Sequence, residues 1–194
     1  LFPYTTLFRS CLILLGVSST AVAFFGIYYK LQNFLMMPVN GLGQAAIPVV
    51  GFNYGSGQSD RVKQAWKVLL PTGVVFALCG TAVFLLFPAQ LLGLFSASNE
   101  MLAFGVPALR IISVTFLFAV ITILCGCFAS GLGNGIVNMI GGALRQLVVL
   151  VPCLWLLIRT AGIDKAWFAF WVSEVVACAY SLWAVRKELR NKVK

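Results

Sequence analysis

Long apolar runs separated by short polar breaks dominate this chain. The runs cover about Ala21–Phe52, Val68–Leu92, Met101–Ala129, Ile136–Ile158 and Ala166–Val185. At a rise of about 1.5 Å per residue, each is about long enough to cross a bilayer as an α-helix. None alternates with period two, which argues against strands. The breaks at Asn53–Asp60, Ser96–Glu100, Ser130–Gly135 and Arg159–Lys165 are short, so successive helices run antiparallel. Before Ala21 the pattern weakens. Cys11–Val17 is too short to cross and reads as the end of a truncated helix. Leu1–Ser10, with Pro3, Thr5, Thr6 and Arg9, reads as neither a signal peptide nor a clean span, and its origin stays open. The pattern predicts an all-α membrane protein, a bundle of about five full transmembrane helices after a partial first one.

Composition agrees. Hydrophobic residues make up 61% of the 194, charged residues 10%, and the mean hydropathy is +0.98. A soluble domain of this size could not cover such a core with so few charges. The net charge of +9 does not point to nucleic acid, because many of the basic residues cluster beside the spans. Arg61, Lys63 and Lys67 follow the first full span, and Arg186, Lys187, Arg190, Lys192 and Lys194 form the tail. The intervening breaks hold few, so loop and tail are expected on the cytoplasmic side. Ser59 or Asp60 is expected to cap a helix from Arg61. Val62, Ala65, Trp66 and Leu69 then share one face of a turn lying in the membrane interface.

Metal chemistry finds little support. There is no histidine, and Cys11, Cys79, Cys125, Cys127, Cys153 and Cys178 all lie in apolar runs without a CxxC pair. They read as small fillers at helix contacts. Gly131-Leu132-Gly133-Asn134-Gly135 lacks the context of a phosphate loop and reads as a tight turn. Gly141 and Gly142 read as close helix contacts.

The polar residues inside the spans carry the chemistry. Lys30, Asn33, Met37, Asn40 and Gln44 are spaced 3, 4, 3 and 4 apart, which puts them on one helical face. In a membrane such a stripe should face protein or water, and a substrate cavity is the reading preferred over amide packing. Pro38 and Pro48 favour kinks in that helix. Glu174 lies deep in the last run, whereas Asp60, Glu100, Asp164 and Glu188 fall in loops or near the termini. A carboxylate at that depth is by default a proton or ion site, the competing reading being a structural ion pair. Arg110 and Arg145 also lie inside spans. Counted at about 1.5 Å per residue, either reaches the depth of Glu174. Burial opposes the charged carboxylate and an arginine favours it, and the sequence leaves that balance open.

Several stretches resemble the carboxyl-terminal lobe of multidrug and toxic compound extrusion (MATE) transporters. They are Phe25-Gly26-Ile27, Pro38, Gly41, Gln44, Pro48, and Gly51-Phe52-Asn53-Tyr54-Gly55 with Arg61, Val62 and Lys63. Leu109-Arg110-Ile111, Leu144-Arg145-Gln146 with Pro152, and Gly162-Ile163 before Trp171-Val172-Ser173 and its acidic successor are similar too. The resemblance implies twelve helices in two six-helix lobes around a cavity of alternating access. Residues 1–20 would end the seventh helix, and residues 21–194 would be the carboxyl-terminal lobe. It also implies export of drugs or organic cations in exchange for sodium ions or protons, with no other cofactor. The partners would be an amino-terminal lobe, the lipid bilayer and a small organic substrate. The alternatives are a lipid-linked saccharide flippase of the same superfamily, whose cavity would want several arginines, and, less favoured, a membrane-embedded hydrolase, for which paired carboxylates and zinc ligands are missing.

Overall fold

The computed structural model describes residues 19–95, 98–161 and 167–192, and among these there is no strand. The expectations for residues 1–18, 96–97, 162–166 and 193–194 lie outside them. The helices are α1 (Ser19–Gly55), α2 (Ser59–Leu86), α3 (Pro88–Gly93), α4 (Asn99–Ser113), α5 (Phe116–Gly131), α6 (Gly135–Ala143), α7 (Leu150–Ala161) and α8 (Phe168–Lys192). A π-helical turn, Leu144–Val148, joins α6 to α7. Four segments are long and apolar enough to cross a bilayer: Val22–Gly55, Ser59–Leu86, Gly135–Thr160 and Phe168–Lys192. The bent pair α4–α5 makes a fifth.

Helix α5 is the axis of the bundle, in contact with α1, α2, α6 and α8. Its sequence is apolar all round, the mark of a helix buried on every side. Phe116, Val120, Leu124, Cys125 and Phe128 are fully enclosed. Small residues let its neighbours approach. A Cβ at Gly73 of α2 would sit 2.2 Å from Leu124, and one at Gly131 would sit 2.8 Å from Val50 of α1. At one end of the bundle Phe24, Phe25, Phe104 and Trp167 interlock, with Phe24 and Phe25 ring centroids 5.3 and 4.9 Å from Trp167. They tie the start of α1 to α4 and to the start of α8.

The structure corrects several expectations. Helix α1, which contains Pro38 and Pro48, ends at Gly55 instead of Phe52, so the polar loop shrinks to Ser56–Gln58. Gln58, not Ser59 or Asp60, occupies the N-cap of α2, without a side-chain cap. The turn carrying Val62 and Trp66 is continuous with the span, and its apolar face packs into the bundle, the Trp66 and Phe128 ring centroids lying 4.7 Å apart. The third run is not one helix, since α4 and α5 meet at 47°. Ser113 Oγ and Thr115 Oγ1 donate to the carbonyls of Arg110 and Ile112, and Thr81 Oγ1 donates to that of Ser113. Hydroxyls that bond the carbonyls of a preceding turn bend helices. Helix α8 carries the basic tail as far as Lys192, and Glu188 belongs to it.

The glycine-rich turn is as expected. Gly133 has φ +80°, where a side chain would be strained. Asn134 Nδ2 donates to Glu188 Oε1 at 2.8 Å, and Lys192 Nζ donates to the Leu132 carbonyl at 3.0 Å, fastening this turn to α8. Gly141 makes its close contact, a Cβ there falling 3.0 Å from Ser181 Oγ, whereas Gly142 faces open space. Cys125, Cys127 and Cys178 are buried fillers, but Cys79 is exposed.

Candidate functional site in the membrane

The polar stripe of α1 is exposed along its length. Lys30, Asn33, Met37, Asn40 and Gln44 all face away from the bundle, while Tyr28, Leu31, Met36, Val39 and Val50 of the same helix are buried. Large apolar side chains flank the stripe: Met37 is 67% exposed and Phe34 78%. Lys30 Nζ stands 5.9 Å over the Phe95 ring, a cation–π contact at one end. Pro38 and Pro48 remove the donors that would reach the carbonyls of Phe34 and Gln44, leaving acceptors on this helix with no amide from within it. Amides and a cation on a surface at membrane depth call for protein or water opposite them.

The second constellation is closed. Arg145 Nε donates to Glu174 Oε1 at 2.6 Å, with side chains only 12% and 4% exposed. The π turn presents Arg145 toward α8; such turns are rare and frequent at functional sites. A cavity of about 20 Å³ adjoins the pair, lined by Tyr29, Gln32, Arg145, Gln146, Phe170 and Glu174. A space of this size holds about one water. The other carboxylate oxygen, Oε2, is buried without a hydrogen bond, as is the Tyr28 hydroxyl. Tyr28 packs on Phe170 at 5.6 Å, beside the pair.

Of the two arginines that depth allowed, Arg145 is thus the partner. Arg110 is exposed in the last turn of α4, where helix carbonyls favour a cation, and it makes no ion pair among the described residues. The packing of α8 on α4 is instead made by Trp171, whose Nε1 donates to the Ile111 carbonyl at 3.0 Å. The described residues therefore assemble no arginine cluster of the kind a saccharide flippase would want.

The bundle thus combines a long helix with an outward polar face, a bent span and a buried Arg–Glu pair. The MatE family model matches residues 4–156. The chain belongs to the MatE family. It is 28% identical over 176 residues to the multidrug export protein MepA of Staphylococcus haemolyticus, covering 89% of this chain and 38% of MepA. It is 28% identical over 194 residues to the probable multidrug resistance protein NorM of Rhizobium meliloti, covering 96% and 42%. Among solved structures, the MATE multidrug transporter DinF-BH matches with a TM-score of 0.81 and 28% identity, over 94% of this chain and 41% of that one. The Vibrio cholerae MATE transporter VcmN in its bent form matches with a TM-score of 0.87 and 23% identity, over 98% and 43%. This MatE chain spans about two fifths of the length of the curated relatives it matches.

Sequence reasoning named both ends of the ion pair and all of the stripe. It did not place Tyr28, Tyr29, Gln32 and Gln146 around the pair in this MatE bundle. Gln32 sits one position before Asn33, about 100° around the helix, and that offset marks a second polar face of α1 turned toward α8.

Proposed function

We propose that this chain is one lobe of a cation-coupled antiporter that exports drugs or organic cations, completed by a second lobe across the exposed stripe of α1. The observation that carries the reading is that stripe. Asn33, Asn40 and Gln44 offer donors and acceptors, Met37 and Phe34 offer apolar contact, and the whole face is open. A mixed face of this kind suits a cationic, partly apolar molecule held between two lobes near the midplane. That the relatives are named as multidrug proteins agrees with it.

Glu174 is the coupling carboxylate of the proposal, and sodium or a proton is the coupling ion. Its unpartnered Oε2 beside a one-water cavity is the place where either would bind. Binding there neutralises the carboxylate and weakens its hold on Arg145, freeing α8 to shift against the π turn. The connection Ser56–Gln58 and the end of α8 lie on the cytoplasmic side in this reading. The test is ethidium efflux from cells carrying the complete parent gene. Asn40→Leu should lower the apparent affinity for ethidium by about tenfold, the worth of one buried hydrogen bond to a charged group, with normal protein in the membrane. Unchanged resistance together with unchanged binding would remove the stripe from the substrate path.

A further inference from the structure

The far end of α8 carries a second charged constellation, separate from the stripe and the ion pair. Trp183, Arg186, Lys187, Arg190 and Asn191 line an open groove of about 510 Å³. Their spacing of 3, 1, 3 and 1 sets them on one helical face. Lys187 Nζ stands 5.2 Å over the Trp183 ring, which is 59% exposed. The nearby carboxylate, Glu188, is turned to the other side of α8. It is held there by Lys192 at 2.9 Å and by Asn134 at 2.8 Å. The groove therefore gathers three cations, none of which forms an ion pair among the described residues.

The same face continues into the membrane as an apolar strip. Val172, Val176 and Ala179 are exposed in line with Trp183. Trp183 lies 15 residues after Phe168, about 22 Å along the helix at 1.5 Å per residue, most of the thickness of a hydrocarbon core. Tryptophan favours that boundary, with its indole among headgroups. Arginine forks match phosphate oxygens, and clustered cations just beyond a span attract anionic lipid.

We propose that this face binds an anionic phospholipid, with the phosphate of its headgroup held by Arg186, Lys187 and Arg190 and an acyl chain laid along Trp183, Val176 and Val172. The apolar strip leading out of the groove selects a lipid over a soluble phosphate, which has nothing to place there. The site stands on its own geometry and does not depend on which drug or ion the transporter carries.

The test is native mass spectrometry of the complete parent transporter, purified in detergent and titrated with phosphatidylglycerol, with phosphatidylcholine and with inorganic phosphate. The unaltered protein should retain phosphatidylglycerol in clear preference to phosphatidylcholine, and millimolar inorganic phosphate should not displace it. R186Q/K187Q/R190Q should weaken that preference by about a hundredfold, roughly fivefold from each cation. Trp183→Ala, which keeps every charge, should weaken retention of phosphatidylglycerol and phosphatidylcholine alike by about tenfold, and it serves in place of the triple variant if that one fails to fold. K63Q/K67Q, which removes cations from α2, should change nothing. Full preference in the triple variant, full retention in Trp183→Ala, or displacement by inorganic phosphate would each overturn the proposal.

Discussion

The stripe of α1 and the Arg145–Glu174 pair hold polar groups at membrane depth in opposite ways. The stripe leaves amides and a lysine on an open face, with apolar side chains between them. The pair closes two charges on each other and leaves one carboxylate oxygen over. In the proposed reading the open face meets a substrate and a second lobe outside this bundle. The closed pair couples two helices inside it, α8 and the π turn. The two therefore respond differently to mutation: loss of a stripe residue weakens a partner's binding, whereas loss of one charge of the pair strands the other.

The largest effect is expected at the pair. Glu174→Gln should abolish coupled ethidium efflux even at matched amounts of the complete transporter in the membrane, and that amount should itself fall, because Arg145 is left buried without its counter-ion. Arg145→Leu strands a buried carboxylate, which costs about 3–5 kcal/mol and should deplete the protein itself. Joined with Glu174→Leu, it should restore the amount of protein but not the efflux. If the double variant regains efflux, the pair is structural only and the contrast with the stripe dissolves.

Gly131→Leu should come next. A Cβ at that position meets Val50 and the Ile47 carbonyl at 2.8 and 3.0 Å, and overpacking of this kind costs about 1–3 kcal/mol. A thermal melt of the purified protein should show it, with ethidium affinity unchanged in what stays folded. A smaller effect is expected at Arg110. Arg110→Gln should leave expression unchanged and the stability read from a thermal melt within about 0.5 kcal/mol of the unaltered protein, as for an exposed side chain without an ion pair. A strong loss of fold there would place Arg110 with the pair rather than outside it.

Topology sharpens the same comparison, since it fixes which end of the stripe meets the cytoplasm. A Cys in place of Ser56 should resist membrane-impermeant reagents added to intact cells. Gly57 is a poorer choice, because its φ of +71° disfavours a side chain. Ready labelling at Ser56 from outside would invert the orientation.

Much of the fold was legible because long apolar runs have few alternatives in a membrane. The breaks in the helices were not, because they depend on particular bonds. The 47° bend before Phe116 follows from hydroxyls of Ser113 and Thr115 that take backbone carbonyls, and serine and threonine do so only where packing permits. The π turn at Leu144–Val148 left no mark in the periodicity of so apolar a run. Pro38 and Pro48, expected as kink sites, both lie within α1, which stays helical through them. Depth along the helix limited the partners of Glu174 to two arginines, and only the packing of α8 against the π turn chose Arg145. The stripe was legible because its spacing alone fixes a face; that the face is open required the positions of α2, α5 and α8.

Accessibility along α1 tests the central claim most directly. In a cysteine-free background of the complete transporter, single cysteines at Asn33, Met37, Asn40 and Gln44 are treated with a membrane-impermeant thiol reagent, with and without ethidium. The account predicts labelling at these four positions, slowed by ethidium, and none at Met36, Val39 or Gly43 on the buried face. Labelling that ignores ethidium, or that does not distinguish the two faces, would contradict it.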